Sequence, residues 1–255
     1  MTDTTIYDQP LNEMIRVCLR LEQLFQQIDH QLTDTSTFGT RSIIHSVINV
    51  LQILDRPDLK AKLAKELSQL LTSLIRYGHS PDVDVDKLAK LKLQLESLSR
   101  GLIDSSGKIG YRLRDIELLN TLRLHLATPG SGCSFDIPLY HHWLQQPTQI
   151  RQEIIENWLS DFEQIRTTVT VVLDFIRKNA KIEHKTAIHG FYQELLDPQS
   201  NLRMIRVGLT PNMPTYPEIS LGRHFLSVRF HIPDIEKRPV QYVENLSFWI
   251  GYCQV

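Results

Sequence analysis

Residues 224–232 read HFLSVRFHI, with Phe225, Ser227, Arg229 and His231 alternating with Leu226, Val228, Phe230 and Ile232. Side chains two apart on a strand share a face, so this period predicts a strand with one face buried and one wet. Around it lie LRMIRVGL (202–209), YPEISLG (216–222) and LSFWIGYCQV (246–255), short β-branched or aromatic runs parted by Pro, Gly and Asp. Runs this short between turn residues predict a small antiparallel β-domain over residues 181–255. TTIYD (4–8) is also of extended type, which makes residues 3–7 a candidate strand of the same sheet.

Upstream the period changes from two to between three and four. Behind Pro10, where a helix can begin, Leu11, Met14, Ile15, Cys18, Leu21, Phe25, Ile28 and Leu32 keep helical spacing. DTSTFGT (34–40) interrupts with capping residues, and Ile44, Val47, Ile48, Leu51 and Leu54 resume the pattern. Asp55-Arg56-Pro57 predicts a helix junction, followed by Leu59, Leu63, Leu67, Leu70 and Leu74. A turn at Ser80-Pro81 precedes Leu88, Leu91, Leu95, Leu98 and Leu102, and SSGKIG (105–110) precedes one helix over residues 111–126. Residues 148–179 predict a single long amphipathic helix. The fold class is α+β: a mainly helical domain over residues 8–180, then the β-domain.

Composition removes several function classes. Apolar residues make up 42% and charged residues 22% of 255, the balance of a chain with an ordinary core. No apolar run approaches the roughly 18 residues of a membrane span, which predicts no membrane insertion. The opening MTDTTIYDQP has neither a basic nor an apolar leader region. Cys18, Cys133 and Cys253 are odd in number and widely spaced, which suits a reducing cytoplasm. A formal net charge of −1 offers nucleic acid no global attraction, so any anion site must be a local basic cluster.

Two clusters carry chemistry. GSGCSFDIPLYHHWL (130–144) gathers Cys133, Asp136, His141 and His142. That set raises a hydrolase or metal enzyme as the alternative function, yet it has no recognised ligand spacing and no second Cys/His pair. Neighbouring histidines on a helix point about 100° apart, so both rarely reach one ion. The expectation is therefore a binding protein rather than an enzyme, without metal or cofactor, with Asp136 capping a short helix and His141 facing outward. The second cluster is arginine: Arg16 and Arg20 one turn apart, Arg56 at the junction, Arg112 and Arg114, and Arg223 and Arg229 in the β-region. Guanidinium groups grip carboxylates through paired hydrogen bonds, so these are candidates for an anion-binding face. Glu13 and Glu22 are the residues placed to neutralise Arg16 and Arg20.

QPLNEMIRVCLRLEQLF (9–25), IGYRLRDIELL (109–119), PGSGCSFDIPLYHHWL (129–144), VVLDFIRKNA (171–180) and GFYQELL (190–196) together resemble the ZapD family of Z-ring-associated cell-division proteins. The likeness runs from about Pro10 to the final strand. It implies a homodimer that binds the C-terminal tail of the tubulin-like GTPase FtsZ, cross-links and bundles its filaments, and works in the cytoplasm at the mid-cell Z ring during septation. Among site residues it implies Arg20, Arg56, Arg114, His141 and Arg229, with Arg16, Arg112 and Arg223 as further candidates. Glu117 stands where the family pattern has a second arginine, and Arg112 is the residue that could compensate.

Overall fold

The computed structural model describes residues 4–77, 85–105, 107–125, 128–197, 200–211, 213–222 and 224–254. The chain divides into two compact units, Met1–Arg16 with Asp174–Val255, and Val17–Leu173. The Ser80-Pro81 turn lies outside the described residues.

The β unit holds two antiparallel sheets. The first has the order β1 (Thr5–Pro10), β4 (Leu202–Leu209), β8 (Leu246–Gln254), β2 (Ala180–Ala187). The second runs β3 (Phe191–Leu195), β6 (Phe225–Ile232), β5 (Tyr216–Leu221), and β7 (Val240–Gln241) also pairs with β6. The alternation in HFLSVRFHI buries Leu226, Val228 and Phe230, while Ile232 emerges at the strand end. These residues share one core with Ala187, Ile205, Val207, Leu209, Leu246, Phe248 and Ile250, so both sheets contribute their inner faces to it. Phe230 and Phe248 meet edge to face at 5.0 Å. The β2–β3 connection turns on His189 (φ 50°) and Gly190 (φ 70°). A Cβ on Gly190 would lie 1.9 Å from the Tyr242 carbonyl oxygen, so only glycine fits.

Pro10 does not open a helix. It ends β1, opposite Met204, on an edge strand where a missing N–H costs no ladder bond. The first helix, α1 (Glu13–Gln31), is capped by Asn12, whose Oδ1 accepts the Ile15 N–H at 2.8 Å. It is followed by α2 (Thr37–Leu54), α3 (Leu59–Tyr77), α4 (Val85–Asp104), α5 (Tyr111–Arg114), α6 (Glu117–His125), α7 (Pro138–Leu144), α8 (Thr148–Ser160) and α9 (Glu163–Lys178). The apolar stripes converge as their spacing predicts: Leu21, Phe25, Ile28, Ile44, Val47, Ile48, Leu63, Leu67, Leu70, Ile165, Val169 and Val172 are all buried.

Three further expectations change. The helix predicted over 148–179 breaks between α8 and α9, where the Asp161 and Phe162 N–H groups bond back three residues to Trp158 and Leu159. Phe162 is thereby driven into the core against Phe25, with ring centroids 6.3 Å apart. The helix predicted over 111–126 also splits, because the Asp115 and Ile116 N–H groups make the same tight turn to Arg112 and Leu113. Asp136 caps no helix; α7 begins without a side-chain cap, and Asp136 Oδ2 instead accepts the Gly132 N–H at 3.1 Å.

Candidate functional site

The α2–α3 junction carries Asp55, Arg56, Asp58 and Lys60 in close succession. α2 ends at Leu54 and Asp55 closes it in helical geometry. The turn after it is held by the Leu59 N–H donating to the Arg56 carbonyl at 3.3 Å. Two arginines from distant sequence reach the same carboxylate: Arg114 Nε at 3.0 Å from Asp55 Oδ1, and Arg123 Nη2 at 2.6 Å from Oδ2. Each Asp55 oxygen thus receives one guanidinium.

The elements behind this pairing are short and pinned. Arg114 Nη1 donates to the Ile109 carbonyl, and Asn120 Nδ2 donates to the carbonyl of Arg114. Lys60 Nζ donates to the Gly107 carbonyl at 2.9 Å, holding the loop before α5. Gly110 has φ 68°, and a Cβ there would stand 3.2 Å from Leu51 Cδ2 and Phe162 Cε1. The Arg114 side chain is 16% exposed and Arg123 is 38% exposed. Arg114 Nη2 is buried and meets no acceptor among the described residues.

The other candidates sit on several different elements. Arg112 and Arg114 lie two residues apart on α5, about 200° around a helix, and so face different neighbours. Arg112 Nη2 is 2.7 Å from Asp161 Oδ1 and donates to the Asn157 carbonyl at 2.7 Å. The hydrogen bond to Asp161 raises the pKa of this guanidinium further above its ordinary value. Arg16 pairs with Glu13 at 2.6 Å, as the sequence allowed, with both groups exposed. Arg20, one turn later, is exposed. Arg56 is exposed beside Asp55. Arg229 belongs to the β unit, where its guanidinium carbon lies 5.6 Å from the Phe191 ring centroid. Arg223 lies outside the described residues.

In the Cys/His stretch, Tyr140 and Trp143 pack inward, and Trp143 stacks on Trp158 at 5.7 Å. His141 and His142 are both exposed. The exposed Cys133 thiol contacts the Gly130 carbonyl at 3.2 Å. Among the described residues no three His, Cys, Asp or Glu side chains are placed to hold a metal ion.

The sequence does not single out Arg123 or the acceptor role of Asp55, because Asp55 lies far along the chain from both arginines and no local spacing signals the pairing.

The profile of a family described as ZapD, cell division protein, matches residues 19–229. Curated relatives agree over full length. A cell division protein ZapD of Coxiella burnetii (strain RSA 493 / Nine Mile phase I) is 36% identical over 258 residues, covering 100% of both chains. The protein of that name from Methylococcus capsulatus is 32% identical over 253 residues, covering 99% of each chain. That of Nitrosomonas europaea is 31% identical over 249 residues, covering 98% of this chain and 95% of its own. Among the described residues no helix is long and apolar enough to cross a membrane.

Proposed function

The chain belongs to the ZapD family of cell division proteins, and we propose that in this role it binds the C-terminal tail of FtsZ and, as a homodimer, bundles FtsZ filaments at the mid-cell ring in the cytoplasm. The proposed tail-binding residues are Arg20, Arg56, Arg114 and His141 in the helical unit and Arg229 in the β unit, with Arg16, Arg112 and Arg223 as secondary candidates. No cofactor, nucleic acid or membrane takes part in this reading.

The observation that supports it is the Asp55 pairing. The surface at the α2–α3 junction already draws two guanidiniums onto one carboxylate, so its chemistry suits an acidic peptide. A short tail pays ordering entropy on binding, which keeps a single contact weak. Two tail sites on a dimer facing a polymer with many tails convert that weak contact into avidity.

Co-sedimentation with GTP-assembled FtsZ, with and without its C-terminal tail, tests the proposal. Pelleting only with the tailed polymer is the expected result; pelleting with neither form overturns it. Arg20→Ala, Arg56→Ala and Arg229→Ala should each lower the pelleted fraction without changing the melting temperature.

A further inference from the structure

We infer that Arg123 is a further partner-binding residue, oriented for that role by Asp55, and that Arg114 acts mainly by positioning Asp55. The inference rests on the proposed binding of an acidic tail at this face.

The division of labour follows from exposure and from donor use. Arg114 spends Nε on Asp55 and Nη1 on the Ile109 carbonyl, and its side chain is only 16% exposed. A peptide carboxylate arriving from solvent therefore finds little of it. Arg123 is 38% exposed, and among the described residues its guanidinium meets Asp55 through Nη2. A guanidinium carries five N–H donors in a planar fork, so the edge turned away from Asp55 keeps donors for an incoming carboxylate.

Asp55 fixes the plane of that fork. Without it, Arg123 would sample many rotamers, and two guanidiniums drawn to the same place would repel each other. With it, one oxygen restrains each arginine and part of the ordering entropy is removed before the partner arrives.

The helix wheel resolves the apparent conflict with Glu117. On α6, Arg123 reaches Asp55 Oδ2 through Nη2 at 2.6 Å, so its side chain is turned toward the junction. Glu117 precedes Arg123 by six residues, which places it about 120° around the helix. Its carboxylate meets Thr121 Oγ1 at 3.5 Å on its own helix. The acidic residue therefore lies on a different face from Arg123, and Arg123 supplies a cation that the sequence pattern had led one to seek at position 117.

Fluorescence anisotropy of a labelled FtsZ C-terminal tail peptide tests this, with thermal melts of every variant. Arg123→Ala should weaken binding about tenfold, the loss of one charge-assisted contact, with a shallower salt dependence. Arg123→Lys should restore only part of the affinity, since an ammonium cannot reproduce the fork. Asp55→Asn should change affinity in the wild-type background and leave it unchanged in the Arg123→Ala background. That coupling would not arise from a purely structural role. If the alanine variant does not fold, Arg123→Lys carries the test, both alone and as the second background for Asp55→Asn.

Affinity held within about twofold in Arg123→Ala overturns the inference, as does an equal Asp55→Asn effect in both backgrounds. If the wild type binds the tail and Arg20→Ala and Arg229→Ala weaken it while Arg123→Ala does not, this inference alone falls. If the wild type fails to bind the tail, the proposed function falls and this inference with it.

Discussion

Arg151 is a cation 5% exposed that the structure pairs with neutral acceptors. Its guanidinium donates to the carbonyls of Gln146 at 3.1 Å, Thr35 at 3.0 Å and Ser36 at 3.3 Å, to Thr148 Oγ1 at 3.2 Å, and to Thr40 Oγ1. It thereby ties the start of α2 to the turn between α7 and α8. Arg151→Ala leaves the two hydroxyls able to rotate to other partners, and Thr40 already donates to the Ser36 carbonyl at 3.0 Å. The carbonyls of Thr35 and Gln146 lose a charged donor, each loss costing about 1.5 kcal/mol net of desolvation, whereas the Ser36 carbonyl keeps both its Thr40 donors. The expected net loss is about 3 kcal/mol for alanine and about half that for lysine, which keeps the charge but not the fork. Urea unfolding at 25 °C, analysed with the slope held in common, measures both. A loss below about 1 kcal/mol in Arg151→Ala would refute the claim that this guanidinium staples the two segments.

Gly190→Ala should destabilise the protein by at least about 2 kcal/mol, because positive φ and a clash with the Tyr242 carbonyl act together. A melting temperature within a degree or so of wild type would contradict the turn geometry. The Glu183 carboxyl is held at about 2, below its ordinary value near 4.5, by hydrogen bonds from Lys181 and then Lys185. Its folded pKa is depressed, so its contribution is present above about pH 4.5 and lost as the pH falls toward 2. The difference in urea midpoint between wild type and Glu183→Gln should accordingly shrink from pH 6 to pH 3; a constant difference would show that the lysines do not act through this charge. Burial pushes the Cys18 and Cys253 thiols up to about 12, whereas Cys133 is exposed. A disulfide reagent at pH 7.5 should modify Cys133 alone in the native protein and all three thiols after denaturation. Rapid labelling of Cys18 without unfolding would contradict its burial.

Some of this molecule was legible along the chain. The switch from a period between three and four to a period of two separates the helices from the strands, and Leu226, Val228 and Phe230 lie buried as the alternation requires. The helix breaks were not legible. Phe162 keeps the helical register of its neighbours, so periodicity runs straight across the turn that brings its ring against Phe25. Pro10 fits a helix start or an edge strand equally well until β4 is seen beside it.

The arginines divide in the same way. Sequence singled out Arg112 and Arg114 as a basic pair, and tertiary structure sends one to Asp161 and the other to Asp55. Arg123 carried no local signal because its partner lies on another helix. Sequence by itself determined the α+β class and the apolar stripes of its helices, since hydrophobic spacing is a local property that every fold of this chain must bury. Only tertiary structure decided which charges meet, because a salt bridge depends on how helices far apart in the chain pack together.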